Sequence, residues 1–214
     1  MKSCFLLIFL LISTISFSQK KINKKFQPLA NDINIYTNGL DDIILENSNS
    51  NFVEVYLEAE SYDNQIIKIE ETNSELNINF HFEGAETREV IFRKYITKRL
   101  QRASVIVKIP KGKKVIVFGE NIDIESKNLK NELGIYIENG IVKLNVIQLN
   151  TILKLYSGNI YASTRNINLD LKSNTGKIKV DSIFYLRKYK KKSRTTKNLF
   201  SITSIKGNIF LNSD

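Results

Sequence analysis

The sequence predicts an all-β fold: a β-solenoid (β-helix-like) repeat region preceded by a short β-meander or sandwich. Three observations point there. Apolar and polar residues alternate in short runs bounded by Asn, Asp, Ser or Gly, the pattern of half-buried strands. A Gly-x-(Ile/Val)-x-apolar unit recurs through the second half of the chain. From Asp32 onward no helical period is as clear as the two-residue one, apart from one short basic stretch.

The N-terminus reads as a secretory signal peptide over residues 1–18. Lys2 supplies the positive start, Phe5 to Ile12 the apolar stretch, and Ser16 and Ser18 the small residues before a cut at Gln19. That apolar stretch is shorter than the ~20 residues a membrane-spanning helix needs. Cys4, the only cysteine, leaves with it, so no disulfide and no thiolate ligand is expected in the exported chain. About 196 residues remain, enough to bury ~70% of the unfolded surface in one domain or two small ones.

Residues 19–31 read as a basic polar linker, carrying Lys20, Lys21, Lys24 and Lys25. Residues 32–109 read as an N-terminal strand region. Phe52, Val53, Val55 and Leu57 make one run, Ile66, Ile67 and Ile69 a second, and Leu76, Ile78, Phe80 and Phe82 a third. Asn38-Gly39 marks a turn of the kind that needs positive φ.

Residues 110–214 form the repeat region. The units beginning at Gly140, Gly158, Gly176 and Gly207 align, and Glu120 to Glu125 reads as a degenerate first copy. Their spacings are 20, 18, 18 and 31 residues, the last widened by the basic segment between Ile183 and Phe200. Apolar pairs precede the turns: Val115 with Val117, Ile135 with Ile137, and Leu153 with Leu155. Each unit is therefore strand, glycine turn, strand. Stacked coils use such a period because one coil cannot bury its apolar face alone; a meander of antiparallel hairpins also fits the strand spacing. With the chain ending soon after Leu211, the last unit is expected to leave an open edge.

The segment from Ser104 through Ile109-Pro110-Lys111-Gly112 to Val117, followed by the Gly-x-Ile-x-Val units, resembles bacterial adhesin-type domains of the DUF4097 and DUF2807 (GIN) kind. The resemblance covers roughly residues 50–212 and implies a β-helix-like fold in a Gram-negative envelope. It supplies no catalytic residues. Arg88 to Arg102 and Phe184 to Lys197 read as insertions into the regular pattern.

Chemistry is sparse. The single histidine, His81, sits between Phe80 and Phe82, too isolated for a triad or a zinc site. Asp41-Asp42 and Glu70-Glu71 read as solvated termini, and no phosphate-cradling or calcium loop is visible. No catalytic residue, cofactor or metal is expected, and the chain is read as non-enzymatic; a carbohydrate-active enzyme and a purely structural or signalling component are the alternatives.

The net charge of +10 concentrates in the two insertions. Export argues against nucleic acid as its partner and towards anionic envelope polysaccharide, lipopolysaccharide or a membrane surface. Phe92, Ile96 and Leu100 fall on one face of a short basic helix. In the second insertion Arg187, Lys188, Tyr189, Lys190, Lys191, Lys192 and Arg194 are the candidate contacts for an anion or glycan, where the plain alternative is a solvated loop. Export by the signal peptide places the chain in the periplasm, at the outer-membrane surface or outside the cell.

Overall fold

The computed structural model describes residues 20–59, 64–83 and 103–213, with backbone alone at 20, 64–65 and 81–83. The signal-peptide reading, Cys4, the Phe92–Leu100 stretch and the His81 side chain lie outside what is described. Every regular element among the described residues is a strand. The first set is β1 (Lys20–Phe26), β2 (Asp32–Tyr36), β3 (Asp42–Asn47), β4 (Val53–Ala59), β5 (Asn64–Glu71), β6 (Glu75–Glu83) and β7 (Ala103–Ile109). Next come β8 (Lys114–Asn121), β9 (Asp123–Lys127), β10 (Glu132–Asn139), β11 (Ile141–Ile147), β12 (Thr151–Leu155) and β13 (Asn159–Thr164). The last are β14 (Asn168–Ser173), β15 (Ile178–Val180), β16 (Ile183–Tyr185), β17 (Lys188–Lys191), β18 (Leu199–Ser204) and β19 (Asn208–Ser213).

The strands form two mixed sheets. One is ordered β1-β4-β7-β3-β9-β11-β13-β19-β15-β16 and the other β17-β14-β18-β12-β10-β8-β2-β6-β5. From β7 to β15 consecutive strands alternate between the sheets, so the two stack in matching layers. Two buried rows run across these layers. Ile78, Ile35, Val117, Ile135, Leu153, Ile202 and Leu171 make one. Val105, Ile43, Ile124, Val142, Ile160, Ile209 and Ile178 make the other. Both belong to one apolar core. Alternation explains the rows: in Ala103–Ile109 every second residue is buried, and the β-branched side chains that dominate pack well on a pleated surface.

Parallel pairing follows from the repeat, because equal turns bring equivalent residues side by side at about 4.8 Å between strands. The register is 18 residues from β8 to β10 to β12, as in Val115↔Leu133↔Thr151, and again from β9 to β11 to β13. This corrects the alignment of the first repeat. Val142 pairs with Ile124, not Ile122, so the unit begins two residues later than Glu120 and the first three spacings are each 18 residues. A slip of two keeps every side chain on its own face, which is why alternation alone does not detect it.

The layer order departs from chain order at both ends. β18 and β19 insert between β12/β13 and β14/β15, so the glycine of the last unit stacks between two earlier ones. A Cβ on Gly158 would lie 2.0 Å from the Gly140 carbonyl oxygen, and one on Gly176 would lie 2.0 Å from that of Gly207. Asn208 Nδ2 donates to Asn159 Oδ1 at 2.9 Å across the inserted step, while Asn208 Oδ1 accepts from the Lys177 amide at 3.0 Å. The expected open edge at the last unit is thus corrected: β19 is paired on both sides. At the other end β6 and β7 fill the gap between β2/β3 and the antiparallel strands β4 and β5. The strands of 32–109 therefore extend the same two sheets, with β3 lying between β7 and β9.

Candidate functional site

The basic segment after Ile183 caps the C-terminal end of the stack. β16 closes one sheet antiparallel to β15, and β17 closes the other antiparallel to β14. Neither strand repeats the Gly-turn pattern. They reverse direction through Arg187, whose φ is +61°, with the Lys188 amide donating to the Leu186 carbonyl at 2.6 Å. That three-residue γ-turn with positive φ is a strained geometry. The Arg187 carbonyl accepts from the Ser173 amide at 3.0 Å, which anchors the turn to β14.

The two-residue period of β17 sorts the predicted contact residues. Lys188 pairs with Lys172 and Lys190 with Asp170 on the outer face, whereas Tyr189 and Lys191 pair with the buried Leu171 and Leu169. Tyr189 packs against the core and meets Tyr185 from the facing sheet, ring centroids 4.5 Å apart. The pair closes the end of the core, and burial first, then the neighbouring Tyr185 and Asp181, raises the Tyr189 hydroxyl pKa. Lys191 reaches outward from that inner row to donate to Ser213 Oγ at 3.3 Å. Lys192 and Arg194 follow the strand, and both are exposed. The structure thus brings Lys188, Lys190 and Lys172 together and sends Tyr189 elsewhere.

Asp170 is the carboxylate among these lysines. Its Oδ2 holds Lys190 Nζ at 2.9 Å and Lys172 Nζ at 3.6 Å, while Oδ1 is buried with no hydrogen-bond partner among the described residues. Burial pushes its pKa up, but the Lys190 hydrogen bond and the charges of Lys172, Lys190 and Lys188 outweigh that and hold it below the usual carboxylate range. Asp181 is also committed, accepting from the Ser213 amide at 2.8 Å and its hydroxyl at 2.9 Å. Those two bonds lower its pKa. From Ser182 to Ser213 the sequence has no acidic residue.

A cleft of about 590 Å³ opens beside the γ-turn. Phe184, Tyr185 and Leu186 form its apolar side, and Lys177 and Arg187 stand at its walls. Leu186 is 94% and Phe184 64% exposed. Sequence reading passed over these apolar residues because the lysines beside them dominate the composition; the signal was an apolar run where the strand pattern had lapsed.

A second feature missed from sequence is a row of aromatics on the outer face of the nine-stranded sheet. Tyr36, Phe118 and Tyr136 stack at 5.2 and 5.5 Å with interplanar angles of 16° and 18°, and Lys154 lies over the Tyr136 ring. Gly134 leaves room for the last ring, since a Cβ there would be 3.1 Å from Tyr136 Cε2. Near-parallel rings present their faces to one another, so this row ties layers together and offers a ligand mainly its edges. The strands bracketing residues 84–102, β6 and β7, lie towards the opposite end of the stack from β16 and β17. Among the described residues no cluster of three metal-ligating side chains occurs, and no helix is long and apolar enough to cross a membrane.

No family model matches the chain, and no curated protein matches it. Among solved structures, the chain is similar to a "putative cell adhesion protein" from Clostridium sporogenes ATCC 15579. That match has a TM-score of 0.66 and 14% identity, covering 92% of this chain and 100% of the other. Weaker superpositions join it to a "putative adhesin" from Bacteroides fragilis, at TM-score 0.29, 13% identity and 92% and 99% coverage. One from Parabacteroides distasonis gives 0.28, 12%, and 92% and 98%. The likeness to the C. sporogenes protein shows a shared two-sheet fold over nearly the whole chain; the DUF4097 and DUF2807 resemblance rests on the sequence segments alone.

Proposed function

We propose that this chain is an exported, non-enzymatic envelope protein with an adhesin-like surface-binding role, and that its contact surface is the basic C-terminal cap. The stacked layers are read as coils of a β-solenoid, a scaffold that presents its ends and outer faces. The name of the C. sporogenes structure supports the adhesin-like role. The observation that carries the reading is β17, an edge strand that sets Lys188 and Lys190 beside Lys172 with a single carboxylate between them. Lysines also guard an edge against pairing with another strand, but guarding does not require the uncompensated Arg187, Lys192 and Arg194 that flank it. The ligand class this favours is an anionic polysaccharide of the envelope, lipopolysaccharide included.

The test is titration of the chain with polygalacturonate and with purified lipopolysaccharide. Binding should weaken steeply as salt shortens the screening length from ~10 Å at 0.1 M to ~3 Å at 1 M. Replacing Lys188, Lys191 and Lys192 by Ser should lower affinity about tenfold or more, at roughly 0.5–1 kcal/mol per exposed charge. Unchanged affinity in that triple variant would sink the reading.

A further inference from the structure

We propose that the cap cleft is a lipid site: it takes the acyl chain of an anionic lipid while its cations hold the headgroup, docking this end of the stack on an anionic lipid leaflet. The inference rests on the same cap as the proposed function but on different side chains.

Phe184 and Leu186 are two residues apart and line the same cleft, so they present one apolar surface. Burying the exposed apolar surface of either against an acyl chain is favourable; Lys179 Nζ lies over one face of the Phe184 ring, 5.6 Å from its centroid, and adds a cation beside the cleft, while most of both side chains stays exposed. The cleft volume lies within the about 300–1,000 Å³ usual for small-molecule sites. The turn that projects Leu186 is strained and anchored to β14, as expected where exposure of a side chain is maintained against its own hydrophobicity.

Charge selects the occupant. Lys177 and Arg187 line the cleft, and neither side chain has an ion-pair partner among the described residues. The nearby carboxylates, Asp170 and Asp181, are already engaged by Lys190 with Lys172 and by Ser213. An apolar cleft with free cations and no free carboxylate fits a molecule with a hydrocarbon chain and a negative head. A soluble polysaccharide would use the cations and leave Phe184 and Leu186 in water.

The chain has no tryptophan, so Phe184→Trp makes a single local reporter in the cleft. Added phosphatidylglycerol vesicles should move its emission to shorter wavelength, and brominated acyl chains should quench it; phosphatidylcholine vesicles should do neither. Combining Phe184→Trp with Lys177→Ser and Arg187→Asn, the latter chosen because Asn tolerates positive φ, should weaken vesicle binding about 20- to 30-fold, from the contribution of two cations near an anionic surface. Leu186→Ser should reduce the emission shift while leaving polygalacturonate binding intact. Polygalacturonate binding with no vesicle-induced shift would overturn the lipid site and leave the proposed function standing. An equal shift with phosphatidylcholine would overturn the charge selection and with it the proposal, and loss of both kinds of binding would end both readings.

Discussion

The two ends of the stack are built by the same manoeuvre and finished differently. At each, a later pair of strands is inserted between two earlier layers: β6 and β7 between β2/β3 and the antiparallel β4/β5 at one end, β18 and β19 between β12/β13 and β14/β15, which β16 and β17 then cap, at the other. At the N-terminal end the charges are matched. β1 lies antiparallel on β4, where Lys21 meets Glu58 at 2.6 Å and Lys25 meets Glu54 at 3.1 Å. At the C-terminal end Asp170 alone among the described residues answers the lysines of β14 and β17. Both ends are lysine-rich in sequence, so the count of lysines does not separate a compensated edge from a binding surface. The pairing across the sheet does.

The largest expected effect comes from breaking the insertion at one end. Phe200 is fully buried in β18 between β12 and β14. Phe200→Ala should cost about 3–5 kcal/mol in urea denaturation, the range for truncating a buried aromatic. A loss below 1 kcal/mol would mean that β18 does not sit in the middle of the sheet.

Next is the compensation at the C-terminal end. Asp170→Ala removes the carboxylate that holds β17, and should destabilise the chain by about 1–2 kcal/mol, less than the 3–5 for a fully buried pair because both lysines are half-exposed. The same change should raise affinity for polygalacturonate, since Lys172, Lys188 and Lys190 are then unopposed. Lower affinity in a folded variant would show that Asp170 orders the surface rather than neutralising it.

Acid should separate the ends from the middle. Glu54 is held low by the Tyr56 hydroxyl and then Lys25, and Asp170 is held low as described. Each contributes stability that is present above the unfolded carboxylate value, about 4, and lost as pH falls through its lower folded value. Asp42, in β3, runs the other way: burial first, then Asp41 and Asp123, raise its pKa. It costs stability at neutral pH and regains it as pH falls through that raised value. Amide exchange resolved by strand should therefore show β1/β4 and β14/β17 losing protection in acid while β3/β9 gains. A uniform loss would refute this division.

The smallest effect belongs to the matched end. Glu58→Gln breaks an exposed ion pair and should change stability by less than about 1 kcal/mol, with no change in anion binding at the far end. A large change in binding would mean that the two ends are not independent.

Much of the core was legible in sequence because strand faces depend on a period of two that any reader can count. The buried rows from Val117 to Leu153 and from Val142 to Ile160 are those that the apolar pairs and glycine units mark. The start of the first repeat was not legible, since Ile122 and Ile124 satisfy the same alternation and only the 18-residue pairing chooses between them. The candidate site was legible in part. Lys188 and Lys190 lie on an accessible outer face, but Tyr189 turns inward because it alternates with them beside Leu171.

What the sequence determined by itself is local. Side-chain alternation assigns inner and outer faces, and glycines at Gly140 and Gly158 mark turns because their φ values of +152° and +119° suit no other residue well. Only the tertiary structure decided which layer lies beside which, and so that the last repeat is interior, that β17 is an edge, and that Asp170 lies among lysines. The reason is that neighbouring layers are joined by backbone hydrogen bonds, which are nearly blind to sequence. Adjacency is therefore set by how the whole stack buries its apolar rows and closes its ends.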